Sequence, residues 1–144
     1  MEQLIFYGSL MNLDLFYRIT GRRPDSVRYG YVRGDLYRVT DDTEPHGIFN
    51  YPLLIPSAGP NIVICVEITL RLERSQNEIL QNCLKDFEGD LFQLSQIEFC
   101  PFIGGPELGM AYVGKKGAIV GRANIARLEC IIPSIYVWKF GGCV

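Results

Sequence analysis

The side chains that most often build metal centres and disulfide frameworks are scarce in this sequence. His46 is the single histidine, which excludes a histidine-rich metal centre. The five cysteines are an odd number and include no C-x-x-C pair, so they argue against a disulfide framework and against a structural zinc site. Most of them have apolar neighbours, as expected of buried, reduced thiols. We therefore predict no metal ion and a cytoplasmic protein.

Long apolar runs and a strong net charge are also missing. The apolar stretches IVICV and IYVW are far too short to cross a bilayer, and no basic segment precedes an apolar core near the start. We therefore expect no signal peptide and no membrane partner. The formal net charge of -2 gives no general electrostatic reason to bind nucleic acid. Arginines do cluster between positions 22 and 38, and we interpret Arg28, Arg33 and Arg38 as a solvated strand face.

The composition is that of a folded chain. Of the 144 residues, 48% are hydrophobic and 21% are charged, which is enough to bury a sizeable core. No repeat, low-complexity tract or linker interrupts the sequence. We predict a single domain over residues 1–144.

Hydrophobic periodicity predicts strands mixed with two helices. Residues 3–7 (QLIFY) read as a buried strand, and a helix is expected from Leu10 or Met11 until Gly21 ends it. Alternation in SVRYGYVRGDLYRV predicts strand with turns near Gly30 and Gly34, and NIVICVEITLRL is dense in β-branched strand formers.

A second helix and further strands follow in the other half of the chain. Ser75 and Glu78 have the spacing of a capping box, and Gly89 is placed to end the helix. LFQLSQIEFC, MAYVG and PSIYVW read as strands. The predicted fold class is α+β: a mixed, largely antiparallel twisted sheet or β-barrel flanked by a few helices.

The stretch LIFYGSLMNLD allows three interpretations of Ser9. A hydrolase nucleophile requires G-x-S-x-G and a base, but the sequence is FYGSL and nothing places His46 beside it. Ser9 can instead cap the following helix. The backbone N–H groups after Gly8 can also bind a carboxylate or a developing oxyanion, because the first N–H groups of a helix lack partners. The last two interpretations are compatible with each other.

The segment DFEG offers one candidate for proton transfer. Glu88 would lie at the C-terminal end of its helix, among apolar neighbours such as Phe87 and Leu91. The negative end of the helix dipole and partial burial would both raise the pKa of this carboxyl group. The alternative, an ordinary solvated acid at a helix end, is the commoner situation.

Six segments occur in the same order and at similar spacing as motifs of the gamma-glutamyl cyclotransferase-like superfamily, which the chain resembles over about residues 4 to 115. Two positions depart from those motifs: Val66 replaces a glycine, and Lys85 replaces an aspartate unless Asp86 fills that place. The segments are Tyr7-Gly8-Ser9-Leu10, Val32-Arg33-Gly34-Asp35-Leu36-Tyr37, Tyr51-Pro52-Leu53-Leu54-Ile55-Pro56, Ile64-Cys65-Val66-Glu67, Leu84-Lys85-Asp86-Phe87-Glu88-Gly89 and Tyr112.

The resemblance implies a cavity shared by the Tyr7–Leu10 turn and a catalytic glutamate, which maps onto Glu88. It implies that the substrate-binding residues are Tyr7, Gly8, Ser9, Leu10 and Tyr112. The implied substrate is a small gamma-glutamyl amine or peptide. Its α-amine attacks its own γ-carbonyl and releases 5-oxoproline, and no cofactor is needed.

Two features depart from the superfamily pattern. The pattern often continues after E-G with Y-x-R, whereas this chain has Phe92-Gln93-Leu94. The alternative is therefore a non-catalytic relative that uses the same cavity to bind a small molecule or a protein. The tail beyond about Lys116 has no clear counterpart: it adds a helix and a strand, or it forms a subunit contact such as that of a homodimer.

Overall fold

The computed structural model describes residues 2–41, 49–89, 91–115, 117, 125–127 and 135–138. Within these ranges the chain forms two α-helices, a short 3-10 turn and eight strands. In chain order they are β1 (Glu2–Phe6), the turn (Ser9–Met11), α1 (Leu13–Thr20), β2 (Ser26–Asp41), β3 (Phe49–Pro56), β4 (Ile62–Leu70), α2 (Arg74–Glu88), β5 (Phe92–Pro101), β6 (Glu107–Gly114), β7 (Ile125–Arg127) and β8 (Ile135–Tyr136).

Five of the strands close into a barrel in the order β2-β5-β6-β1-β4, because β4 pairs back onto β2. That closing ladder is antiparallel and runs from Ser26 opposite Thr69 to Arg33 opposite Ile62. The pairs β1–β6 and β4–β8 are parallel, and the other described pairs are antiparallel. Closure leaves these five strands without a free edge. The predicted fold class, a mixed and largely antiparallel sheet or barrel flanked by helices, is confirmed.

Strand β2 is longer than the sequence suggested. It runs unbroken for 16 residues, and beyond the barrel it pairs with β3 and β7. The turns predicted near Gly30 and Gly34 are therefore wrong. Both glycines permit close backbone approach instead: a Cβ on Gly30 would lie 2.3 Å from the carbonyl oxygen of Cys100, and one on Gly34 would lie 2.6 Å from that of Ile55.

Helix α1 begins later than the apolar spacing predicted. The chain first makes the 3-10 turn, and the α-helix starts at Leu13 with Asn12 as its N-cap. Asn12 Oδ1 accepts hydrogen bonds from the N–H groups of Asp14 (3.0 Å) and Leu15 (3.4 Å). The predicted start at Leu10 or Met11 is wrong, because that segment makes i-to-i+3 bonds. The predicted end is confirmed, since Gly21 adopts the left-handed conformation with φ 70°.

Helix α2 has its capping box two residues earlier than predicted. Glu73, not Ser75, is the N-cap, and its N–H donates to Gln76 Oε1 at 3.0 Å. Gln76 therefore takes the place predicted for Glu78. Gly89 ends the helix as predicted, with φ 86° and its N–H donating to the Lys85 carbonyl. No helix among the described residues is long and apolar enough to cross a membrane.

Alternate residues of the barrel strands pack into two separate cores. One core, the helix-side core, joins the helices to the outer face of the barrel; its buried members include Leu4, Phe16, Ile68, Leu80 and Leu84. In it the rings of Phe6 and Phe16 lie 5.6 Å apart, which attaches α1 to β1. The other core, the barrel core, contains residues of the opposite face, which fill the barrel; they include Ile5, Tyr7, Cys65, Phe99 and Val113.

Replacement of Gly30 by alanine tests the close approach of β2 and β5. The new methyl group would meet backbone atoms of Cys100 and Pro101, which cannot move without disturbing the ladder. We expect Gly30→Ala to lower the free energy of unfolding by about 1–3 kcal/mol in urea denaturation. Gly105→Ala, where a Cβ meets nothing within 4 Å, is the matched control and should change it by less than about 1 kcal/mol. Equal effects of the two substitutions would refute this account of Gly30.

Candidate functional site

The candidate site begins where β1 leaves the barrel. Tyr7 directly follows the strand, and its side chain is buried in the barrel core. Its hydroxyl donates a hydrogen bond to the carbonyl oxygen of Tyr112 on β6 (2.7 Å) and accepts one from the N–H of Leu54 on β3 (3.1 Å). One phenol group thus fixes the end of β1 to two other strands. Buried hydrogen bonds of this kind hold the following turn in place.

Gly8 is required by its contact with β3. A Cβ at this position would lie 2.7 Å from Cγ of Pro52, closer than real Cβ contacts. Its φ of -121° is open to any residue, so the reason for glycine is space and not conformation. Pro52 belongs to the Tyr51-Pro52 segment noted in the sequence, and the structure brings that segment against the turn.

The 3-10 turn presents backbone donors. The N–H of Met11 donates to the carbonyl of Gly8 (2.9 Å), and that of Asn12 donates to the carbonyl of Ser9 (3.1 Å). The N–H groups of Ser9 and Leu10 precede the first of these bonds, so the turn itself offers them no acceptor. The side chain of Leu10 is buried in the helix-side core and anchors the turn. The interpretation of Ser9 as the helix N-cap is wrong, because Asn12 has that role.

Tyr112 connects this region to helix α2. Its ring is buried in the helix-side core, whereas its neighbours Ala111 and Val113 belong to the barrel core. Its hydroxyl donates to Gln81 Oε1 on α2 at 3.1 Å. Tyr7 and Tyr112 therefore lie on opposite faces of the sheet and meet through the Tyr112 carbonyl, not ring to ring.

Gln81 is a candidate site residue that the sequence reasoning missed. It follows the buried Leu80 on α2 and, besides binding the Tyr112 hydroxyl, its Nε2 donates to Asn77 Oδ1 at 3.5 Å. The one hint in the sequence was that Gln81 is a polar residue next to a buried position of an amphipathic helix. Its partner, however, lies 31 residues further along the chain, and no local pattern identifies that pairing.

Glu88, the predicted catalytic residue, is the last residue of α2. Its side chain lies outside the described part of the structure, so its assignment stays a prediction. Seven residues separate it from Gln81, which corresponds to about two helical turns or about 10.5 Å along the axis. The hydrogen bond between Gln81 and Tyr112 therefore attaches to β6 the same helix that has Glu88 at its end.

Phe92, Gln93 and Leu94, which stand in place of the superfamily's Y-x-R, form the start of β5. The Phe92 ring is buried, with its centroid 5.9 Å from that of Tyr51. Gln93 and Leu94 are exposed. Phe92 thus contributes packing to the helix-side core, and no hydroxyl or guanidinium group stands at these three positions.

Other kinds of reactive centre find little support in the described residues. Burial, reinforced by the nearby Glu67 and Cys100, raises the pKa of the Cys65 thiol far above its ordinary value, so this cysteine stays protonated and is a poor nucleophile. His46 lies outside the described residues. Within the described ranges, no group of three or more His, Cys, Asp or Glu side chains could hold a metal ion.

Comparisons with known proteins find similarity in structure alone. No family model matches the chain, and no curated protein matches its sequence. Among solved structures, one described as a gamma-glutamyl cyclotransferase superposes with a TM-score of 0.56 at 12% identity. A glutathione-specific gamma-glutamyl cyclotransferase from yeast superposes with a TM-score of 0.58, also at 12% identity. The chain has the gamma-glutamyl cyclotransferase-like fold.

The same fold occurs in a solution structure from Arabidopsis thaliana, with a TM-score of 0.55 and 17% identity. Each superposition covers 78–79% of this chain and 66–68% of the neighbour, so the chain spans about two thirds of the length of these proteins. At these identities the likeness concerns the fold.

Replacement of Tyr7 by phenylalanine tests the anchor at the end of β1. The change removes the buried hydroxyl that bonds to the Tyr112 carbonyl and the Leu54 N–H. We expect Tyr7→Phe to lower the free energy of unfolding by about 1–3 kcal/mol. Tyr29→Phe, on an exposed tyrosine, is the control and should leave it nearly unchanged. If chemical denaturation gave Tyr7→Phe the stability of the unmodified protein, the hydroxyl would not be an anchor.

Proposed function

We propose that this chain is a cyclotransferase that acts on a gamma-glutamyl amine or peptide and releases 5-oxoproline. The observation that carries the proposal is the double attachment of Tyr112. Its carbonyl holds Tyr7, which precedes the Gly8–Leu10 turn, and its hydroxyl holds Gln81 on the helix that ends at Glu88. Tyr112 of β6 is thereby bonded both to the residue that begins the Tyr7–Leu10 motif and to the helix that carries the Leu84–Gly89 motif.

The reaction suits a site built from a turn and one carboxylate. In a gamma-glutamyl compound the α-amine and the γ-carbonyl belong to the same molecule, so holding a folded conformer provides much of the rate enhancement. The amine nitrogen attacks the γ-carbonyl carbon, a five-membered ring forms, and the bond to the attached amine then breaks. Atoms balance without water, because the substrate divides into 5-oxoproline and a free amine.

Glu88 is the proposed proton carrier in this scheme. As a carboxylate it takes a proton from the substrate's α-ammonium group, which frees the attacking lone pair. As a carboxylic acid it then gives that proton to the leaving amine. The ring nitrogen still holds one extra proton at this stage; that proton passes to the released amine, so the products are the neutral lactam and an ammonium ion. A single residue can do both, because the two nitrogen atoms meet at the same carbon in the tetrahedral intermediate.

The N–H groups of Ser9 and Leu10 are the proposed anion donors. They face either the substrate's carboxylate or the oxygen that becomes negative in the tetrahedral intermediate. The tight packing of Gly8 on Pro52 and the buried side chain of Leu10 favour a rigid turn. Rigid donors are effective because they need no reorganisation when charge develops.

A second candidate function is binding without catalysis. The start of β5 favours this function. Phe92 packs against Tyr51, and the tyrosine and arginine of the superfamily's Y-x-R pattern are both absent after Gly89. If those groups are needed for turnover, the same turn and helix would only bind a gamma-glutamyl compound or a partner. Turnover and binding measurements separate the two functions.

A panel of gamma-glutamyl amines and dipeptides, assayed for 5-oxoproline, tests the catalytic proposal. We expect turnover of at least one member and a loss of about 100-fold or more in Glu88→Gln, since a neutral amide cannot accept the proton. Glu78→Gln is the matched control, because Glu78 lies on the same helix with its side chain 70% exposed. It should retain full activity.

Two results would count against this assignment. Turnover by Glu88→Gln at the unmodified rate would remove Glu88 from the mechanism. No turnover of any panel member, together with calorimetric binding of the same compounds, would favour the binding function instead.

A further inference from the structure

The barrel has a second polar feature at the end opposite Tyr7. An open cleft of about 550 Å³ lies where β1 and β6 begin, and all of its lining residues are of polar or charged types. Tyr7 lies four positions after Gln3 along the chain, which is about 13 Å in an extended strand. The cleft is thus distinct from the site proposed above. Its lining residues are Gln3, Asp25, Ser26, Arg28, Thr69, Arg71 and Glu107.

A buried carboxylate, that of Glu67, lies next to the residues that line this cleft. Glu67 is 1% exposed and is the one charged side chain buried among the described residues. It is paired in the sheet with Ile5 on one side and Arg28 on the other, and paired residues project to the same face. Thr69 is two residues further along β4 and shares that face too. Glu67 therefore projects into the barrel at the end where Arg28 and Thr69 line the cleft.

The carboxylate of Glu67 is only half satisfied. Its Oε1 accepts a hydrogen bond from Arg28 Nη2 at 2.7 Å, whereas its buried Oε2 has no donor among the described residues. Arg28 also forms an ion pair with Glu107, so two carboxylates share one guanidinium group. One formal negative charge is left over. An unpaired buried carboxylate oxygen is costly, and a positively charged N–H donor would remove that cost.

The cleft also offers the opposite charge. Arg71 lines it, and no described residue forms an ion pair with the Arg71 guanidinium. Asp25, also in the lining, accepts a hydrogen bond from the Arg71 backbone N–H at 2.7 Å, which fixes the chain there. Free guanidinium groups bind carboxylates well, often through two parallel hydrogen bonds. A ligand with a positive and a negative end would satisfy both sides of the cleft.

We propose that this cleft binds a small amino acid zwitterion. Its ammonium group would donate to Glu67 and Glu107 beside Arg28, and its carboxylate would face Arg71. Arg28 lines the cleft with a side chain that is 39% exposed, and its guanidinium would shift to admit the ammonium group. A metal ion is the less suitable occupant, because no described cluster has a metal-binding arrangement. The proposal does not depend on the cyclotransferase activity.

Titration with L-alanine, followed by the backbone amide signals in NMR spectra, tests this site. Propionate and ethylamine are the matched probes, since each has one of the two charges. We expect L-alanine to shift the signals of Arg28, Thr69 and Arg71 and to saturate, and each single-charge probe to bind at least about tenfold more weakly. Other neutral amino acids should compete with L-alanine at the same signals.

Substitutions at the two carboxylates give the second part of the test. Glu67→Gln and Glu107→Gln should each weaken L-alanine binding by about tenfold or more, and Glu78→Gln on α2 should leave it unchanged. If Glu67→Gln fails to fold, Glu107→Gln, with its side chain 31% exposed, carries the comparison alone. No shift with any neutral amino acid, equal binding of propionate, or shifts at Ser9 and Leu10 instead would overturn the proposal.

Discussion

The antiparallel pairing of β2 with β4 is the constraint on which the rest of the structure depends. It closes five strands into a barrel in which β1 lies between β4 and β6. Only in that arrangement does Tyr7 at the end of β1 reach the carbonyl of Tyr112. The same pairing sets Arg28 opposite Glu67 at the other end of the barrel. One ladder therefore determines both polar regions described above.

The two ends of the barrel differ in how their polar groups are satisfied. At the Tyr7 end, one hydroxyl makes two buried hydrogen bonds, and the strand leads into a turn whose first donors lack acceptors within the turn. At the Arg28 end, two carboxylates compete for one guanidinium group and a buried oxygen has no described donor. The first end presents backbone donors, whereas the second combines an incompletely bonded buried carboxylate with the Arg71 guanidinium in the cleft lining. The first end suits an anionic group, and the second suits a molecule that carries both charges.

Much of the fold could be predicted from local patterns in the sequence. The β-branched run of β4, the apolar start of β1 and the glycines that end both helices act through short-range preferences, and these predictions are confirmed. The predicted turns at Gly30 and Gly34 are wrong, because a glycine that allows a turn also allows two backbones to approach. The predicted N-caps Ser9 and Ser75 are wrong for a related reason. Asn12 and Glu73 are the observed N-caps, and local spacing alone does not show which nearby polar residue takes that position.

The candidate site was accessible to sequence reasoning only in part. Motif order located the Tyr7–Leu10 turn and Tyr112, but the hydrogen bond that joins them spans 105 residues and depends on strand register. The contact of Gln81 with Tyr112 and the ion pairs of Arg28 with Glu67 and Glu107 also depend on how distant segments are aligned. Neither could be recognised without the fold. The interpretation of Arg28 as part of a solvated strand face is corrected accordingly, because it pairs with a buried glutamate.

The central claim is that the turn after β1 and the end of α2 bind one gamma-glutamyl-derived molecule between them. A crystal structure of the protein soaked with 5-oxoproline tests it most directly. The account predicts the product within hydrogen-bond distance of the N–H groups of Ser9 and Leu10 and of the Glu88 carboxylate. Product bound elsewhere on the barrel, or a Glu88 side chain turned to solvent beside bound product, would contradict it.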